Sequence, residues 1–413
     1  MKRILGQNLI ITVISKTLSF IAAFYIIKIL SKQDYAMYNQ LLVLLTFLPY
    51  FEIAITRGFF IEYPRYLHTK TKEECSRLFY NYSFFIFFIY LVLGSFIFIN
   101  NIPQSLTFCA IVFGQFLFSK FIEVAYTYYN SNLKMQQMLN IKYITDILTP
   151  LITIGLVFIF QKAWSVFAAQ TLVYASVIVF LFLKNKIHIS SVRFDGKIFI
   201  QHLRFLFTAG LLIHITGWLD IALLNCDKIF MTTIVTDPET TANYCFAWNT
   251  ANFIFIIGAS IVGPYSQYLF KELATQNFIE AKKMIGKLNR QLLILMGLGI
   301  IIGLSLFPIL IGMSAFEKYN STYPIFAFLI FGNAAFAFMG IYKYYVNAMK
   351  LNSWMLVMEI VLIITAAGSF FYLFLNNYPL FYFALVYLVI QMVFFAGLLI
   401  KVNANLQERT MEN

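Results

Sequence analysis

Charge is what this chain has least of: Asp, Glu, Lys and Arg together make up 12% of its 413 residues, against 61% hydrophobic residues. A soluble domain carries about twice that share of charge, so a water-soluble globular fold is excluded. Cysteine and histidine are scarce too, four of each. Cys75, Cys109, Cys226 and Cys245 show no CxxC or other ligand spacing, and His68, His188, His202 and His214 are equally scattered. That pattern supports neither a disulfide framework nor a metal site, and no cofactor is expected.

What is present is apolar sequence in segments of about 20 residues, the length that crosses a bilayer as a helix, rather than alternating segments of about 10 that would build a barrel. The expected class is all-α, a polytopic membrane protein. Twelve spans can be marked, at 9–30, 40–61, 79–99, 105–128, 141–160, 163–183, 205–235, 243–263, 291–313, 324–346, 354–375 and 380–400. Met1, Lys2 and Arg3 precede an apolar run too long for a cleaved leader, so the first span reads as a retained helix.

The formal net charge of +12 would point to nucleic acid in a soluble chain. Here the cations sit in short connections and act as topology signals, so no nucleic-acid partner is expected. Only Lys28, Lys32, Lys162 and Lys318 lie near one side, whereas the other holds both ends of the chain, the 184–204 connection and the 264–290 connection with Lys271, Lys282, Lys283, Lys287 and Arg290. Lys and Arg are retained on the cytoplasmic side, which places both termini there. The mixed-charge run FKELATQNFIEAKKMIGKLNR has the pattern of a short surface helix leading into the ninth span, and the plainer reading, a solvated or headgroup-facing linker, is preferred. No external connection is large enough to hold an active site.

The chain also repeats itself. YTYYNSNLKMQ from Tyr126 and YKYYVNAMKLN from Tyr342 align Tyr126, Tyr128, Tyr129 and Lys134 with Tyr342, Tyr344, Tyr345 and Lys350, each 216 positions later. DYAMYNQLL and TTANYCFAW pair Tyr38 with Tyr244. Both matches lie six spans apart, so the expectation is a parallel repeat of two pseudo-symmetric six-helix bundles, 1–190 and 191–413, enclosing a central cleft.

Charges inside spans are costly and mark function or internal pairing. Lys16, Glu52, Arg57, Lys120, Glu123, Asp146, Asp220, Asp227, Lys228, Lys343 and Glu359 are such residues. Lys120 and Glu123, three apart, are placed to pair with each other. Arg57 and Lys343 either snorkel to the headgroups or face the cleft, while Lys16 lies too deep to snorkel easily. Asp220 and Asp227, seven apart on one continuous span, share a helix face, and Lys228 points about 100° away from Asp227. Asp220 either closes a salt bridge to another helix, with Lys16 as a candidate, or couples transport to a proton or cation. Asp146 and Glu359 occupy nearly equivalent places in the two repeats.

SKQDYAMYNQLL, YPRYLHTKTKEECSRLF, DKIFMTTIVTDPETTANYCFA, PYSQYLFKELATQNFIEAKK and FEKYNSTYPIFAF resemble the polysaccharide transporter branch of the multidrug/oligosaccharidyl-lipid/polysaccharide exporter superfamily, the Wzx-type flippases. The resemblance runs over essentially the whole chain. Asp227, Lys228 and Tyr244 fit the family's Asp-basic pair at the end of the seventh helix and the Tyr that starts the eighth. Ala36 and Met37, and Ala242 and Asn243, stand where relatives often carry Gly.

The resemblance implies movement of an undecaprenyl-diphosphate-linked oligosaccharide, for O-antigen, capsule or a related glycan, from the cytoplasmic to the periplasmic leaflet of a bacterial inner membrane by alternating access. The implied partners are that lipid-linked oligosaccharide, membrane lipids, and the polymerase and chain-length proteins of the same pathway. Lys16, Arg57, Lys228 and Lys343 are then candidates to meet the diphosphate, and Asp146, Asp220, Asp227 and Glu359 candidates for coupling or salt bridging. A proton- or sodium-coupled drug or metabolite antiporter of the same superfamily is the alternative, favoured where carboxylates outnumber cations. An integral-membrane glycosyltransferase or polymerase would need the external loop that is missing.

Overall fold

The computed structural model describes residues 2–47, 52, 54–101, 106–131, 135–183, 195–314 and 316–412. The described residues are helical from end to end: α1 (Lys2–Ile29), α2 (Lys32–Phe47), α3 (Ile55–Thr69), α4 (Lys72–Asn101), α5 (Leu106–Ser131), α6 (Met135–Phe160), α7 (Ala163–Leu183), α8 (Gly196–Leu224), α9 (Cys226–Thr233), α10 (Pro238–Ala274), α11 (Phe278–Gly312), α12 (Tyr323–Ala348), α13 (Asn352–Leu375) and α14 (Leu380–Glu412).

Eight of these, α4, α6, α7, α8 and α11 to α14, are long and apolar enough to cross a membrane. The expected spans at 9–30, 40–61, 105–128 and 243–263 fall on α1, on α2 and α3, on α5 and on α10, which do not reach that combination over their described residues.

Helix starts follow their caps. Ser31 Oγ accepts from the Asp34 amide at 3.0 Å ahead of α2, and Thr71 and Glu74 form a reciprocal capping box at the start of α4, with amide contacts of 3.0 and 3.3 Å. Asp237 accepts from the Thr240 amide at 2.9 Å at the start of α10. The 264–290 connection is not a separate short surface helix. It consists of the extended ends of α10 and α11, joined by a turn with Gln276 at φ 57 and capped where Asn277 accepts from the Glu280 amide at 3.2 Å.

The chain divides into two compact units, residues up to His214 and residues from Ile215. In the first, α5 and α6 both pack on α7, with α1 against α6 and α4 against α5. α3 and α8 meet at small residues: a Cβ on Gly58 would land on the Leu206 carbonyl, and one on Gly210 on the Ala54 carbonyl. Such close backbone approach is how helices associate where no water drives them together.

In the second unit, α12 is central, packed on α10 and α14. Its apolar window is 72% buried against 17% for α11, so α12 is core and α11 turns Leu293, Ile294, Leu298, Ile301 and Ile302 outward, as a lipid-facing helix does. α5 and α12, which carry the tyrosine repeat, are each 26 residues long. At the matched positions Tyr129 and Tyr345 are both buried, 1% and 0% exposed.

Candidate functional site

In the first unit a lysine is clamped between two carboxylates. Lys120 Nζ, on α5, lies 2.5 Å from Glu123 Oε2 one turn on, and 2.7 Å from Glu52 Oε1 just ahead of α3. The Tyr90 hydroxyl of α4 donates to Glu52, and its ring centroid is 5.2 Å from the ammonium. The expected Lys120–Glu123 pair therefore forms, but Glu52 and Tyr90 join it. With all three charged groups ionised the cluster carries one formal negative charge in apolar surroundings, which a proton or a monovalent cation can cancel.

Beside it opens a cavity of about 300 Å³ lined by Ser119, Glu123, Tyr126, Lys142, Asp146 and Tyr174. The Thr145 hydroxyl donates to Asp146 at 3.0 Å. Glu123 belongs to both the clamp and the wall of this cavity, which is lined by α5, α6 and α7.

The second unit holds a parallel arrangement. Lys343 Nζ, on α12, is 2.5 Å from Asp220 Oδ1 on α8 and 3.9 Å from the centroid of the Phe336 ring. Glu359 of α13 faces both electrostatically. It is fully buried against Asp220, and the two carboxyls can hydrogen-bond to each other only when one of them carries a proton. Asp220 is thus paired with Lys343. The side chain of Lys16, its expected candidate partner, lies outside the described residues.

The single span expected over 205–235 is broken. α8 ends at Leu224 and α9 restarts at Cys226, with Asn225 off helical geometry at φ −112 and ψ 13. Asp220 and Asp227 therefore lie on two helices, α8 and α9, rather than on the one continuous span expected. The carbonyl of Leu223, freed there, accepts from Gln391 Nε2 of α14 at 2.9 Å, the kind of compensation a broken intramembrane helix requires. The Phe230 ring anchors α9 among Phe370, Phe371 and Phe374 of α13 and Phe383 of α14.

That anchoring aims Asp227 and Lys228 inward, where both are buried. They do not pair with each other. The Tyr244 hydroxyl donates to Asp227 Oδ2 at 2.6 Å, whereas Lys228 Nζ donates to Asn249 Oδ1 at 2.9 Å and stands 4.5 Å from the Trp248 ring centroid. Lys228 is a buried ammonium solvated by an amide and an indole face rather than by a direct carboxylate contact.

Of the remaining expected residues, Arg57 is exposed on the first turn of α3. Asp146 lines a cavity and Glu359 is sealed in the core, so their nearly equivalent places in the two repeats carry different environments. Tyr90, Tyr174, Trp248, Asn249 and Gln391 join these clusters without having been singled out in the sequence. Gln391 is an isolated polar residue in an apolar helix, a usable signal, whereas Asn249 sits in a run with Asn243, Thr250 and Asn252. Tyr90 and Tyr174 are hidden among the chain's many aromatics.

No protein-family model and no curated protein matches this chain by sequence. Solved structures do match. A structure of the inward-facing conformation of a multidrug resistance MATE family transporter of the MOP superfamily superposes with TM-score 0.67 at 13% identity, covering 95% of each chain. The fold is that of the MATE transporters. A mutant of the Vibrio cholerae MATE transporter VcmN matches with TM-score 0.63 at 9% identity over 96% of this chain and 98% of its own. A MOP superfamily transporter from Pyrococcus furiosus, described as having a binding pocket of reverse polarity that suggests a different function, matches with TM-score 0.56 at 13% identity over 98% and 96%. The eight long apolar helices fit that fold.

Proposed function

We propose that this chain is a transporter that moves a diphosphate-linked oligosaccharide lipid from the cytoplasmic to the outer leaflet of a bacterial inner membrane. The observation that supports it most is Lys228. It is buried at a helix break, and its ammonium contacts Asn249 and Trp248 where the other buried lysines contact carboxylates. Lys120 and Lys343 are already engaged by carboxylates, which leaves Lys228 as the buried cation best suited to a diphosphate, whose charge cannot cross hydrocarbon unaccompanied. Arg57 is exposed and takes the same role at the periphery. The lipid's own tail stays among lipids, and the glycan would come from, and pass to, the polymerase and chain-length proteins of its pathway.

A second reading has its own support. Each unit sets one lysine against two carboxylates, and buried Glu359 lies against Asp220 where the two carboxyls can share a proton. Those features suit proton or sodium coupling, which serves either a driven flippase or an antiporter of small organic solutes. Proteoliposomes carrying a fluorescent diphosphate-linked oligosaccharide lipid separate the two. The flippase reading expects outward movement that falls about tenfold or more in Lys228→Ala and is retained in Lys228→Arg, as loss of a charge-assisted contact requires. Efflux of organic cations without any lipid movement would overturn it.

A further inference from the structure

A groove of about 1140 Å³ runs along the second unit between α11, α12 and α14. Leu293 and Ile300 form one wall, Met392 and Ala396 the other, and Ala334 and Phe338 the floor. The small alanines on α12 and α14 give the groove its depth. Along α12 its lining extends from Phe331 to Tyr342, a rise of about 16 Å, which is close to one leaflet of a hydrocarbon core about 30 Å thick.

Its two ends differ. At one end the lining turns polar, with Asn289 and Arg290 on α11 and Tyr342 on α12, and Asn289 Nδ2 donates to the Tyr342 hydroxyl at 2.5 Å, which fixes that lip. Arg290 is exposed and has no ion-pair partner among the described residues. Lys283, Lys287 and Arg290 are spaced four and three residues apart and so lie in one exposed stripe of α11 leading to the lip. Only Lys283 is partly neutralised, by Glu280 at 3.4 Å. By the distribution of cations this is the cytoplasmic end.

We propose that the groove is a binding site for an anionic phospholipid of the cytoplasmic leaflet. One acyl chain lies between α11, α12 and α14, and the phosphate pairs with Arg290 and is attracted by Lys287. The combination of a leaflet-deep apolar channel and a cationic mouth selects both halves of such a molecule: the chain fills a space that protein side chains leave open, and guanidinium and phosphate match as fork and oxygens. A zwitterionic lipid has the chain but lacks the net charge that the basic stripe favours.

The site is tested on the full chain in detergent by titration with phosphatidylglycerol, followed by native mass spectrometry. One phosphatidylglycerol is expected to be retained preferentially, with phosphatidylcholine of identical chains binding about tenfold more weakly, and Arg290→Ala reducing the phosphatidylglycerol preference by a similar factor. Ala396→Trp introduces an indole from an exposed position on the groove wall and is expected to lower retention of both lipids. Phosphatidylglycerol carrying a photoreactive chain is expected to label peptides of α11, α12 and α14 in the unaltered protein, a readout that does not depend on any variant folding. Equal retention of the two lipids, labelling confined to other helices, or tighter retention of a polyprenyl phosphate than of phosphatidylglycerol would each overturn the proposal.

Discussion

The Lys343 ammonium stands 2.5 Å from the Asp220 carboxylate, a bond between α12 and α8 made inside an apolar bundle. Removing the cation alone leaves Asp220 and buried Glu359 facing each other without compensation. Lys343→Met is expected to cost about 3 kcal/mol, the low end for breaking a buried pair because Asp220 is partly exposed. The double variant Lys343→Met with Asp220→Asn should recover part of that loss. Thermal unfolding in detergent checks both; an unchanged midpoint in the single variant would count against a structural role for the pair.

Glu52 and Glu123 share Lys120, so Glu52→Gln converts a cluster of net charge minus one into a neutral pair. If the cluster holds the coupling proton, transport by this variant loses its dependence on an imposed pH gradient while the protein remains folded and monodisperse. Retention of the full pH dependence would assign the clamp to stability alone.

Gly58 and Gly210 permit the contact between α3 and α8, and Gly297 sits where an added Cβ meets nothing. Gly58→Ala and Gly210→Ala therefore force backbone apart and are expected to destabilise by about 2 kcal/mol or more. Gly297→Ala should be neutral or stabilising by up to about 1 kcal/mol through helix propensity. Equal melting temperatures for all three would refute the close approach.

Gln391→Leu removes the donor to the Leu223 carbonyl at the α8–α9 break. A buried acceptor left without its partner costs about 1–3 kcal/mol. Hydrogen exchange is the discriminating measurement, since faster exchange confined to the flanks of Asn225 is expected rather than loosening throughout the second unit.

The helical, membrane-embedded character was legible because it is an average over long segments: 61% hydrophobic residues cannot be covered by a soluble surface. Of the matched tyrosines in the repeat, Tyr129 and Tyr345 are both buried, whereas Tyr126 is half-buried where Tyr342 is buried. Local pairing was readable where spacing alone decides it, as for Lys120 and Glu123. The break at Asn225 was not, because neither glycine nor proline interrupts the run from Thr216 onward except Gly217, and the carbonyl it frees is satisfied by a residue far along the chain, Gln391.

By itself, then, the sequence determined the composition of the spans, the asymmetric placement of Lys and Arg, and which charges lie within apolar segments. These depend only on the chain's order and on transfer from water to hydrocarbon. The tertiary structure decided which of those charges meet: that Asp220 takes Lys343, that Glu52 joins Lys120, that Asp227 and Lys228 turn to Tyr244 and to Asn249. A buried charge must find a partner, but which one it finds depends on helix rotation and on contacts between residues far apart in the chain, and side-chain periodicity along one helix carries no information about either.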